Sequence, residues 1–169
     1  MKSQLSTKIH SNQLGWIALA GLAFASAAFI CSLLLVRMAT GDWRIMIYTA
    51  TLAAFFSGAF FWWLLLARSN RVTLWRGLSA GLLTGLVAHP LAWYFAILYF
   101  YVSGARNSLG EAIVNPLVGV WASLVFSLLS WLFFGWLTGP AGALVGGIVA
   151  YLQMRVAHHG SMGSGSAPG

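Results

Sequence analysis

GLSAGLLTGLVAHPLAWYF, residues 77–95, is the stretch on which the reading of this chain turns. It carries no Asp, Glu, Lys or Arg, and its apolar run is long enough for a helix through a hydrocarbon core of ~30 Å. Gly77, Gly81 and Gly85 stand four apart, His89 continues the spacing, and Pro90 follows directly. Helical geometry places residues four apart on one face, so the glycines open a groove into which another backbone can settle. The same face then carries an ionisable ring beside a residue that cannot donate a backbone hydrogen bond.

The surrounding chain has the composition of a membrane protein. Of 169 residues, 60% are hydrophobic and 7% charged, with a mean hydropathy of +0.83. A soluble domain has about 25% charged residues, so most of this surface needs lipid as its solvent. Nine Lys and Arg against two Asp and Glu give a formal +7. The basic residues are dispersed at the ends of apolar runs, as a topology signal requires, and form no stripe for nucleic acid. The single Cys31 cannot make an internal disulfide or a zinc site by itself.

Four long apolar runs, 14–36, 45–67, 78–102 and 117–137, each reach the ~20 residues of a spanning helix. They do not alternate as barrel strands do. The first run continues past the ~7–15 residues of a signal-peptide core, so it reads as an uncleaved span. A shorter run, 141–154, follows Thr138-Gly139-Pro140, and Pro140 suits the first position of a new helix. The predicted fold is therefore an all-α bundle of four long transmembrane helices plus a short fifth Gly-rich helix, in a hairpin with the fourth. At ~1.5 Å per residue the fifth covers only about 21 Å, which leaves a full crossing and a partial return both open. Residues 1–157 read as one polytopic membrane domain and 158–169 as a disordered Gly/Ser-rich tail.

Orientation follows from the basic residues. Lys2, Lys8, Arg68, Arg71 and Arg76 fall on the N-terminal side, Arg37, Arg44 and Arg106 opposite, and the side of Arg155 depends on the fifth helix. Both cases predict a cytoplasmic N-terminus, in the inner membrane of a bacterium. In the connections, Gly41-Asp42 reads as a turn. Ser108-Leu109-Gly110-Glu111 fits a capping box, and Asn115-Pro116 caps and starts the fourth span.

Each candidate site has a plain packing account beside its functional one. The helix-packing residues Gly77, Gly81 and Gly85, with Gly142 and Gly146 and the Gly135/Gly139 pair, form grooves for helices of this chain, a second copy, or a pore lined by small residues. The Gly81–Gly85 and Gly142–Gly146 motifs echo one another in packing chemistry. Aromatics such as Phe55, Phe56, Trp62, Trp93 and Tyr99 could line a pocket for an apolar cofactor, but more commonly face lipid; Trp16, Trp43, Trp75 and Trp136 lie near span ends, as interfacial belts require. No cofactor is implied. Arg68, Arg71 and Arg76 are the one local basic cluster, for anionic headgroups or for topology.

Catalytic chemistry has little foundation here. Asp42 and Glu111 sit in separate loops, no metal-ligating constellation is present, and Ser123, Ser127 and Ser130 would need a base held within reach. Ser127 and Ser130 are expected to bond back to their own helix or to a neighbour. His89 and Pro90 are the candidate intramembrane polar site: a kink that frees the Leu86 carbonyl, with a neutral ring bonded locally or reaching a neighbouring helix and helping to satisfy it, or a cavity group carrying a proton or ligand. The function expected is a non-enzymatic accessory or scaffold subunit, with the lipid bilayer, itself or another membrane protein as partners and no nucleic acid. A small channel or carrier using Gly77, Gly81, Gly85 and His89 is the alternative. An intramembrane cofactor-binding protein resting on His89 is a third class.

Overall fold

The computed structural model describes residues 2–38, 44–69, 71–106 and 115–162. The Gly41-Asp42 turn and the Ser108–Glu111 capping box lie outside these residues. Among the described residues five α-helices follow one another: α1 (Lys2–Met38), α2 (Arg44–Trp62), α3 (Leu74–Val102), α4 (Pro116–Ser130) and α5 (Trp136–Met162). Two π-helical segments join them, Trp63–Ala67 at the end of α2 and Trp131–Gly135 between α4 and α5. Among the described residues four helical stretches are long and apolar enough to cross a membrane: Gln13–Leu35, Arg44–Ala67, Leu74–Val102 and Pro116–His158.

The last of these corrects the expected hairpin. Thr138, Gly139 and Pro140 are helical, and Pro140 lies inside α5, not at the head of a new helix. The chain does not reverse there, as its contacts with α3 demonstrate. Gly119 lies against Ile97 and the Phe126 ring is 5.0 Å from that of Trp93. The Trp131 indole reaches Leu86, Gly85 faces Thr138, Gly81 faces Gly142, and Gly77 faces Gly146 and Ala150. As the numbering rises through α4 and α5, the α3 partner falls, so both lie antiparallel along one helix. Pro140 explains why the sequence suggested a break. A proline at this position offers the Trp136 carbonyl no N–H, and a wide π turn, Trp131–Gly135, lies just upstream. A Pro and a π turn bend a helix without ending it.

This path settles two further points. Arg155 lies one turn beyond Ala150, at the end of the bundle that holds Arg68, Arg71 and Arg76 and the first turns of α1. Helix α5 runs through Met162, into the stretch read as tail, and residues 163–169 lie outside the described part.

The best-buried core sits toward that same end. Ala20 and Phe24 of α1, Ala54 and Trp62 of α2, Leu66, Ala80 of α3, and Val149 and Ala150 of α5 close on one another. Trp62, grouped in sequence with aromatics that commonly face lipid, is 1% exposed. Helices α1 and α2 fit ring into gap, with Phe55 over Gly21 and Phe24 over Gly58. Buried hydroxyls are satisfied on their own helices: Ser57 donates to Ala53 O and Thr84 to Ala80 O, each at 2.7 Å. Ser123 donates to Val120 O and Ser127 to Ser123 O. In lipid that local bond is what makes a hydroxyl tolerable.

Helix ends follow their capping residues. Thr73 accepts from the Arg76 N–H to start α3, and Asn115 accepts from the Leu117 N–H at 3.0 Å with Pro116 at the first helical position.

Candidate functional site around His89

Helix α3 brings its small residues and its polar ring to one face, and α4, the π segment and α5 pass along that face. A Cβ placed on Gly81 would fall on the Gly142 carbonyl, and one on Gly142 would fall on the Gly81 carbonyl. Gly77 and Gly146 stand in the same reciprocal relation, and a Cβ on Gly85 would come 2.5 Å from Thr138 O. The row is thus filled by the backbone of α5. Gly139 shares in the contact, its Cα 3.2 Å from a Cβ placed on Gly85, although a Cβ of its own would meet only a Leu82 side chain at 3.4 Å; a Cβ on Gly135 would meet only the Trp131 side chain, at 3.3 Å.

One turn beyond Gly85 the glycine contact gives way to polar groups. His89 Nδ1 is 2.6 Å from Ser130 Oγ, and Nε2 is 2.8 Å from Thr138 Oγ1. Thr138 Oγ1 also donates to Phe134 O at 3.2 Å. For a neutral ring, keeping all three bonds requires one arrangement. Thr138 accepts from Nε2–H, because its own hydrogen is on Phe134, and Ser130 donates to Nδ1. The half-buried imidazole therefore clamps the last residue of α4 to the first turn of α5, on either side of the π segment.

Pro90 has a separate partner. Its missing N–H leaves Leu86 O without the usual helical donor, and Trp131 Nε1–H donates to that oxygen at 2.9 Å. Of the two courses the sequence left open to the ring, a local bond or a reach to a neighbouring helix, the structure shows the second, and the freed carbonyl is served by another residue. His89 binds across to hydroxyls, and an indole from the π segment repairs the kink. Trp131 and Thr138 were the residues that sequence reasoning passed over. The available signal was the orphan carbonyl itself, which demands a donor but does not say which of many residues supplies it.

The arrangement holds a serine hydroxyl against a histidine nitrogen, one of the requirements of a nucleophilic pair. The same contacts also have a complete structural use, since each ring nitrogen bridges α3 to one flank of the π segment. Among the described residues no group of three or more His, Cys, Asp or Glu could hold a metal ion. Ser127 bonds within its helix while Ser130 reaches across to α3.

The basic cluster is divided in its roles. The Arg76 guanidinium turns back on the α2–α3 connection, donating to Ser69 Oγ and, at 3.4 Å each, to Leu65 O and Arg71 O. It thereby covers carbonyls left over where α2 ends, a favourable place for a cation. Comparison with protein-family models, with curated proteins and with solved structures returned no match.

Proposed function

We propose that this chain is a non-enzymatic accessory or scaffold subunit of a bacterial cytoplasmic membrane, acting on other membrane proteins through its helix faces. The observation that supports it is the internal use of everything distinctive in the third span. The glycine groove is filled by α5, and both His89 nitrogens and the Leu86 carbonyl have partners within the chain. What is left for recognition is outer surface. Helix α4 and the π segment after it offer one such face, with Leu117 and Trp121 of α4 and Leu132 of the π segment each more than 70% exposed.

In this reading the N-terminus, the Arg68–Arg76 connection and Arg155 face the cytoplasm, because Lys2, Lys8, Arg68, Arg71, Arg76 and Arg155 then lie on one side and Arg37, Arg44 and Arg106 on the other. In a Cys31→Ala background, an impermeant maleimide on intact cells is expected to label Ser108→Cys and spare Ser69→Cys; the reverse pattern overturns the orientation. Purification in mild detergent tests the function. A stoichiometric membrane partner, lost on Trp121→Ala, is expected.

The channel or carrier reading draws on one observation, the run of proton-exchanging groups from Ser130 through His89 to Thr138. Ion or proton flux in liposomes that disappears in a well-folded His89→Gln protein would replace the scaffold proposal.

A further inference from the structure

At the bundle end opposite the Arg68–Arg76 connection, the first turns of α2 and the last turns of α3 part to form an open groove of about 810 Å³. That is within the size range of small-molecule sites, ~300–1,000 Å³. Its lining is ordered along its length. Arg44 at the start of α2 and Val102 at the end of α3 both line it, with Tyr48 and Tyr99 about one helical turn from them along their helices. Leu52 and Phe95 line the far end, close to where the Phe56 and Phe95 rings meet at 6.4 Å. The Thr49 hydroxyl contacts Met46 of its own helix, so the deep part is effectively apolar.

We infer that this groove binds one anionic phospholipid, its phosphate on Arg44 and the Tyr48 and Tyr99 hydroxyls and one acyl chain along Leu52, Leu98 and Phe95. The gradient from guanidinium through phenols to hydrocarbon matches the gradient of such a lipid and no other common membrane component. An apolar cofactor carries no charge to complement the guanidinium. A small soluble anion would leave the apolar end empty. Charge complementarity selects the headgroup, since a cation near the membrane surface favours anionic lipid by about fivefold. The phenols add donors that a phosphate oxygen accepts. The inference does not depend on the scaffold reading, because it concerns a groove on the far side of α3 from α4's outer face.

The test is native mass spectrometry of the full chain released from micelles. These contain equal amounts of phosphatidylglycerol and phosphatidylethanolamine with identical acyl chains. Wild type is expected to retain one phosphatidylglycerol with about fivefold preference. Arg44→Gln should lose the preference, Arg44→Lys should keep most of it, and Leu98→Trp, which fills the apolar end, should lower retention of both lipids. Arg68→Gln, at the other end of the bundle, should change nothing. Equal retention of the two lipids by wild type, a preference that survives Arg44→Gln, or undiminished retention by Leu98→Trp would each overturn the assignment. Helical circular dichroism and a monodisperse elution profile are required of every variant. Should Arg44→Gln fail that requirement, wild type and Leu98→Trp still decide the outcome.

Discussion

Helix α3 meets α5 along one half of its length and α4 along the other, and the two contacts are built differently. Toward α5, glycine faces glycine, and the nearest obstacle to any added atom is a backbone carbonyl. Toward α4, Gly119, Ser123 and Ser127 present small groups to large side chains, and the nearest obstacle at Gly119 is the Cγ2 of Ile97. The first contact has no freedom to adjust, because moving a carbonyl means moving a helix. The second meets a branch of one side chain, which a small local shift can relieve although χ1 of Ile97 is largely fixed in a helix. Burial follows the same division: Val149 and Ala150 of α5 are 3% and 0% exposed, whereas among the α4 residues only those three small ones are buried. The π segment, held by His89 and Trp131, separates the two regimes.

The largest expected effect tests whether the division is real. Gly81→Leu should destabilise the bundle by about 3 kcal/mol or more, the upper end of overpacking costs. Gly81→Ala should approach it, since the Cβ alone meets the Gly142 carbonyl. Gly119→Ala, whose Cβ meets one branch of Ile97 at 2.7 Å and no backbone atom, should cost less, about 1–2 kcal/mol. Unfolding midpoints in mixed detergent and SDS measure all three. Equal shifts for the two alanine variants would erase the distinction between the halves.

The junction comes next. Trp131→Phe should cost about 1–3 kcal/mol by leaving the Leu86 carbonyl unpaired. Pro90→Ala in the same protein restores a backbone donor to that carbonyl and should recover most of the loss. A cycle of the two single variants and the double variant gives the coupling directly. Additive effects would show that the indole does not serve the kink.

His89 is expected to matter less. His89→Leu should cost about 1–2 kcal/mol, because Thr138 keeps its bond to Phe134 O and Ser130 can turn back to its own helix. His89→Gln retains a donor and an acceptor and should fall within about 1 kcal/mol of wild type. The same unfolding assay checks both, and a Gln variant as damaged as Leu would mean that the bridge needs the ring's geometry.

Gly15→Ala is the baseline for the whole series. Nothing lies within 4 Å of a Cβ at Gly15 in α1, so helix propensity alone applies and the change should stabilise by at most about 1 kcal/mol. A loss at Gly15 comparable to that at Gly81 would mean that glycine substitutions in this protein report something other than close packing.

Local chemistry by itself determined the helical class and the location of the apolar runs, because hydrocarbon demands long uninterrupted helices and the loops carry the charges. It determined the start of α4 at Asn115-Pro116, where the capping side chain sits two residues from the N–H it serves. The spacing of Gly77, Gly81 and Gly85 established that one face of α3 admits a close neighbour, but several backbones could have filled it. Only the tertiary structure decided that α5 does so, that the chain passes Pro140 without reversing, and that Trp131 rather than His89 answers Pro90. A proline costs almost nothing at the first position of a helix and about 3 kcal/mol inside one, so taken alone Pro140 favours a turn. Partners 41 to 49 residues away make the difference here, holding both flanks of the π segment to α3. Interactions of that separation leave no periodicity in the sequence, and become visible once the helices lie side by side.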